Sequence, residues 1–221
     1  MSLIPVFVSQ MQEADRRAIN KLGIPGAVLM YNAGKAVVDY IKSLYPDAES
    51  FAVFAGKGNN AGDGFVIGHL LKNMKKQVSI LCTTDQYTGD AKIYFDLCKN
   101  ERIPISVAAN VSDAVKGVKE LSNSDLLIDC LLGTGLKSAV REPIASMIAA
   151  IPDTSNVLSV DLPSGMDGDT GEPLGCCVKA HHTITLAAPK IGMKNRPDLT
   201  GRVHIADIGM PDICLSDSFS L

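Results

Sequence analysis

Apolar positions recur at two different spacings along this chain, and the change between them falls near Ser50. Ahead of it, Ser9 is placed to cap a first helix running to about Asn20, whose opening is crowded with polar residues. Pro25 and Gly26 then begin a second helix, apolar at Val28, Leu29, Ala33, Ala36, Val37, Tyr40, Ile41 and Leu44, close to a 3.6-residue period. Beyond Ser50, short apolar runs alternate with amphipathic ones. "SFAVFAG", "QVSILCT", "IPISVA", "SDLLIDCLLG" and "NVLSVDLPSG" read as strands. "DGFVIGHLLKNMK", "GDAKIYFDLCKNER", the stretch near Ser112–Leu121 and "REPIASMIAAIP" read as the helices between them. "HHTITLAAP" and "RVHIADIG" add two strands with little helix between. Near-continuous apolar strands alternating with helices indicate a parallel sheet covered on both faces. The pattern therefore predicts an α/β, doubly wound, Rossmann-like domain with a mostly parallel sheet and two extra N-terminal helices. No repeat or low-complexity linker interrupts it, so residues 1–221 are expected to form a single domain.

Composition narrows the picture only a little. A chain of 221 residues, 46% hydrophobic and 20% charged, suffices for one domain with a large core. A formal charge of −3 supplies no reason to expect nucleic acid as the main ligand, and Lys72, Lys75 and Lys76 read as the solvated face of a helix. No apolar run reaches the roughly 18 residues of a membrane span. The opening "MSLIPVFVSQMQEADRR" lacks the basic and apolar segments of a secretion signal. Cys82, Cys98, Cys130, Cys176, Cys177 and Cys214 show neither CxxC nor zinc-like spacing, and read as reduced thiols of a cytoplasmic protein. A redox role for the vicinal pair Cys176–Cys177 is the lesser reading.

In doubly wound sheets, ligands bind beyond the carboxyl ends of the strands, so loops after the strands at Phe51, Leu126, Val157 and Thr183 should meet on one edge. "GKGNNAGDG" (Gly56–Gly64) offers glycines for close backbone approach and a helix start whose N–H groups attract an anion. It is not a Walker loop, and it matches the dinucleotide fingerprint only in part. A tight turn with Asp63 as helix cap would explain the glycines and the acid, but not the consecutive amides Asn59 and Asn60. Asp129 ends a buried strand ahead of a second glycine turn, Gly133-Thr134-Gly135, and must be met by a cation or by a row of backbone donors. Lys137 could meet a phosphate there. In "VDLPSGMDGDTGE", Asp161 stands where this fold places a general acid or base, and Pro163 and Gly165 shape a turn presenting Ser164. Asp167 and Asp169 read as turn formers. A Ser-His-Asp triad is set aside, because no GxSxG surrounds Ser164 and His69, His181, His182 and His204 lie in or at the start of regular elements.

Together, "LMYNAG", "GKGNNAGDG", "DCLLGTGLK", "DLPSGMDGDTG", "LAAPKIGM" and "VHIADIGMP" resemble, in order and spacing, the NAD(P)H-hydrate epimerase family of YjeF N-terminal domains. The resemblance covers most of the chain. It implies a three-layer α/β/α fold, usually homodimeric, that interconverts the R and S forms of NADH or NADPH hydrated at C6 of the nicotinamide ring. A separate dehydratase then restores the S form. The resemblance also implies one potassium ion per subunit, held by Asn60, Asp129 and Ser164 with backbone oxygens. Substrate would contact Asn59, Asn60, Ala61, Gly62 and Asp63, then Gly133, Thr134, Gly135, Leu136, Lys137, Ser138 and Ala139, and Asp161. Epimerisation through loss of hydroxide to an iminium, and return of water on the other face, would use Asp161 as acid/base with Lys137 or Lys190 placing charge. Ala61 stands where the family commonly has glycine, and Tyr31 where it usually has an acid. Domains of this kind also serve as binding scaffolds, in an mRNA-decapping enhancer and a lipoprotein-associated partner. The presence of Asn60, Asp129, Asp161 and Ser164 favours the enzyme.

Overall fold

The computed structural model describes residues 4–216. Two helices, α1 (Val8–Asn20) and α2 (Gly26–Leu44), precede a seven-stranded sheet. The strands are β1 (Ser50–Ala55), β2 (Gln77–Cys82), β3 (Ile105–Val107), β4 (Leu126–Cys130), β5 (Val157–Val160), β6 (His182–Leu186) and β7 (Arg202–Ala206). Between them lie α3 (Asn59–Asn73), α4 (Gly89–Asn100), α5 (Val111–Leu121), α6 (Ile144–Ala150) and a short α7 (Pro197–Thr200), and α8 (Asp212–Ser216) follows β7. The strand order is β3-β2-β1-β4-β5-β6-β7 and every pairing is parallel.

Two-residue alternation sorts β1 between two cores. Phe51, Val53 and Ala55 pack into the cluster built with α1 to α4, while Ala52 and Phe54 join Ala114 and Val118 of α5 and Met147 of α6. The result is three layers, α/β/α. The order reverses between β1 and β4, so the crevice between their carboxyl ends is the switch point where such sheets take ligands. None of the described helices is long and apolar enough to cross a membrane.

Two helix starts depart from the sequence expectation. Ser9 lies inside α1 instead of capping it. The Gln10 side chain accepts from Phe7 N (2.8 Å) and Asp169 Oδ1 from Val8 N (2.6 Å), so distant and local acceptors do the capping. Helix α3 begins at Asn59, with Gly58 as cap, four residues before the expected start. Asp63 is therefore a buried residue one turn inside a helix, and its reading as a cap fails.

Aromatic packing fixes the turn after β1. Phe65 of α3 meets Tyr87 edge-on at 4.8 Å between centroids and Phe95 of α4 at 5.2 Å. The buried Tyr87 hydroxyl then donates to Gly56 O at 2.7 Å, clamping the glycine turn from below. Gly56 itself lies so near β4 that a Cβ there would strike the Leu131 carbonyl.

Candidate active site

The carboxyl ends of β1, β4, β5 and β6 bring four turns together. Asp129 is wholly buried at the end of β4, and its neighbour in register on β5 is Ser159. Ser159 Oγ and Ser164 N donate to Asp129 Oδ2, each at 2.8 Å. Ser164 Oγ and Leu131 N donate to Oδ1 at 2.5 and 3.2 Å. Burial pushes the Asp129 carboxyl up in pKa, and the Ser164, Ser159 and Leu131 donors oppose it. Of the two ways of meeting Asp129 that the sequence left open, the row of backbone donors is present in part: two backbone N–H groups, joined by two serine hydroxyls. Ser164 is fully buried and spends its hydroxyl on Asp129 and the Leu132 backbone.

Asn60 extends this cluster. Its Nδ2 donates to Leu132 O at 3.0 Å, while its Oδ1 is buried with no partner. Asn60 and Ser164 thus meet at the Leu132 carbonyl, Asp129 lies behind Ser164, and the Asn60 amide oxygen is left without a partner. An unpaired buried acceptor costs about 1–3 kcal/mol unless a ligand meets it. Hard oxygens without imidazole or thiol suit an alkali or alkaline-earth cation. Among the described residues, no group of three His, Cys, Asp or Glu side chains could hold a metal ion.

Beside this cluster stands a buried ion pair. Lys190 Nζ donates to Asp161 Oδ1, to Thr185 Oγ1 (3.1 Å) and to Leu186 O (3.2 Å). Lys190 is 1% exposed and Asp161 8%. Similar backbone devices aim both residues. Asp161 takes φ +69°, with Leu162 N bonding back to Val160 O at 2.9 Å, and Ala187 takes φ +60°, with Ala188 N bonding back to Leu186 O at 2.7 Å. Three-residue turns of this hand are uncommon outside glycine and cost of order 1–3 kcal/mol each. They end β5 and β6 abruptly and turn the chain across the sheet edge. Between the two lysines offered by the sequence, geometry places Lys190 on Asp161. Lys137 is exposed and makes no hydrogen bond or ion pair with a described residue.

Gly133 joins the two halves, since a Cβ on it would lie 3.4 Å from both Asn60 Cβ and Asp161 Oδ2. Asn60 and Asp63 project from the first turns of α3, whose N–H groups carry no side-chain cap, and Asn59 is exposed beside them. Ala61 and Gly62 are buried on the inner side of the same turn. Thr134, Gly135 and Leu136 continue the second glycine turn, and Thr134 O accepts from Gln12 Nε2 at 3.2 Å. Ser138 and Ala139 are exposed and lead away toward Leu174 and Gly175. Asp167 and Asp169 act as turn formers. Asp167 Oδ1 accepts from Asp169 N and Thr170 N, which holds its carboxyl below the usual range. A separate cavity of about 480 Å³ opens at the amino ends of β5 and β6, lined by Ile151, Val157, Cys176 and His181. It lies away from Asp161 and Lys190.

Sequence reasoning missed Asp15 and Thr185. Asp15 carried a signal in its spacing: it lies four residues after Met11 and three before Ala18, on the buried stripe of α1. Burial first, then the Asp161 charge, pushes its carboxyl up to about 6, with Lys190 opposing. Burial likewise holds Asp63 well above the carboxylate range, reinforced by Asp161 and Asp15.

The family described as YjeF-related protein N-terminus matches residues 26–192, from the start of α2 to just past Lys190. The chain belongs to this family. As a YjeF-related domain it is 36% identical over 216 residues to the NAD(P)H-hydrate epimerase of Rhodopirellula baltica, covering 96% of this chain and 86% of that protein. It is 35% identical to the NAD(P)H-hydrate epimerase of Lentilactobacillus buchneri, over 93% of this chain and 94% of the relative. A bifunctional NAD(P)H-hydrate repair enzyme of Salinibacter ruber is 36% identical, but the YjeF-related chain spans 40% of its length. The crystal structure of yeast ynu0 shares the fold, with a TM-score of 0.78 over 90% of this chain and 86% of the yeast chain at 22% identity.

Proposed function

We propose that this chain is an isomerase of nicotinamide cofactor repair, interconverting the R and S forms of hydrated NADH and NADPH. The observation that carries this reading is the buried Lys190–Asp161 pair set beside Asn60 and Gly133 at the switch point. It stands in a chain aligned over 96% and 93% of its length with two proteins named NAD(P)H-hydrate epimerase. The open N-terminus of α3 and the glycine turns suit the pyrophosphate, with Asn59 to Asp63 and Gly133 to Ala139 along the substrate. Asp161 serves as an acid/base group for the water at C6, and the Lys190 ammonium holds it in place.

A potassium ion fits the oxygens of Asn60, Asp129 and Ser164, and the unpartnered Asn60 Oδ1 supports that assignment. Bound there, it would supply positive charge that locks the turns after β1, β4 and β5. The same reading includes a homodimer and a cytoplasmic setting, with which six free cysteines agree. It also includes a dehydratase acting on the S form. Relatives such as that of Salinibacter ruber are named bifunctional repair enzymes.

The test follows the R epimer of hydrated NADH as it converts to the S epimer, in potassium and in tetramethylammonium buffer. Conversion above the spontaneous rate is expected, faster with potassium. Asn60→Ala should raise the potassium concentration needed for half-maximal rate about tenfold or more. Asp161→Asn should lower turnover by roughly 10²–10⁴-fold. Absence of acceleration by the wild-type chain would put the scaffold reading first.

A further inference from the structure

Helix α1 is tied across three of the site's turns. Val6 N donates to Pro189 O at 2.9 Å and Ile191 N to Val6 O at 3.0 Å, on either side of Lys190. Val8 N reaches Asp169 Oδ1 in the turn after β5, and Gln12 Nε2 reaches Thr134 O in the turn after β4. Asp15 lies three residues beyond Gln12, on the same side of the helix. Its half-buried carboxyl accepts no hydrogen bond and joins no ion pair among the described residues. It lies within electrostatic reach of Asp63 on α3, Asp161 after β5 and Lys190 after β6. Asp15 and Asp63 therefore act electrostatically on a pair in which Asp161 already holds the Lys190 ammonium.

We propose that Asp15 is the second acid/base group of this site, acting in tandem with Asp161 on the water that leaves and re-enters C6. The inference rests on the epimerase reading above. Burial holds Asp63 well above the carboxylate range, whereas Asp15, pushed up to about 6, can both give and take a proton near neutrality. Paired groups whose environments separate their titrations divide the acid and base roles between them. Neutral Asp15 donates its proton to the C6 hydroxyl, and the C–O bond breaks with its electron pair leaving on water. The remaining positive charge is shared by C6 and the ring nitrogen, facing the new Asp15 carboxylate. Water then bonds to the opposite face of C6 through an oxygen lone pair and loses its proton to Asp161. The proton has moved from one aspartate to the other, and the reverse passage, or exchange with solvent, resets the pair.

The test compares wild type with Asp15→Asn as full chains, using R-epimer hydrated NADH in potassium buffer. The variant should lose about 10²-fold in kcat with KM within about threefold. Wild-type kcat/KM should fall as pH rises through about 6, because the free enzyme loses the Asp15 proton, and the variant should lack that limb. The unfolding midpoint should be higher for Asp15→Asn than for wild type at pH 8, where the ionised aspartate is penalised by burial. The gap between the two midpoints should shrink as pH falls through about 6 and close toward pH 3, below the ordinary aspartate value, where Asp15 is mostly protonated in folded and unfolded chains alike. Unchanged kcat with an unchanged pH profile would overturn the proposal while leaving the epimerase standing. A variant less stable at pH 8, whose lost rate keeps the wild-type pH profile, would assign Asp15 to structure alone and also overturn it. A wild type without activity would overturn both readings.

Discussion

Lys190→Met should abolish measurable epimerisation, with turnover down by about 10³-fold or more, and destabilise the fold at neutral pH by about 3–5 kcal/mol. Lys190 is 1% exposed, and its ammonium is shared by Asp161 Oδ1, Thr185 Oγ1 and Leu186 O. Methionine fills nearly the same volume, so packing survives while three acceptors lose their donor. Asp161 then keeps its buried charge with Asp15 and Asp63 nearby and no cation in the pair. Asp15, whose carboxyl is pushed up to about 6, gains a proton between pH 8 and pH 5 and so removes one of the facing charges, and the stability gap to wild type should narrow over that range. Urea titrations at the two pH values, together with the epimer assay, check both halves. A variant as stable as wild type at pH 8, or one retaining a tenth of its turnover, would contradict the role given to this ammonium.

Gly165→Ala should be the most disruptive single methyl in the site. Gly165 takes φ +99°, and a Cβ there would land on the Cys176 carbonyl and lie 3.0 Å from Cys177 Cα, both backbone atoms that cannot swing away. Relief requires moving the turn that carries Ser164, which supplies two of the four donors to Asp129. A buried carboxylate deprived of donors adds its own desolvation cost. The expected loss is about 4 kcal/mol or more, at the far end of single-substitution effects. Gly135→Ala in the neighbouring turn is the control: nothing lies within 4 Å of its added methyl, and it should be neutral to about 0.5 kcal/mol. Denaturant midpoints of the two variants should therefore differ widely.

The frame of the fold is legible in the sequence because β1, β4 and β5 are buried on both faces and read as near-continuous apolar runs. The start of α3 is not, since Gly58, Asn59, Asn60 and Gly62 are weak helix formers and packing against the sheet overrides them. Asn60, Asp129, Asp161 and Ser164 stand out as polar residues at the ends of apolar strands or in glycine turns. Choosing Lys190 over Lys137 needs the turn at Ala187, where an alanine with positive φ leaves no mark in the sequence. Asp15 is marked only by its place on the buried stripe of α1, because every group that acts on its carboxyl lies far along the chain. The γ-like turn at Asp161 is equally silent, although aspartate tolerates that backbone region better than most residues.

The fastening of α1 also orders events during synthesis. Its capping acceptor Asp169 follows Val8 by 161 residues, and the Thr134 carbonyl follows Gln12 by 122. Helix α1 thus leaves the ribosome long before the turns that fasten it and before α8, the helix it packs against, and it must carry Met11, Ala14 and Ala18 uncovered through that interval. Catalytic competence would then arrive as a late step of folding, separable in time from assembly of the sheet.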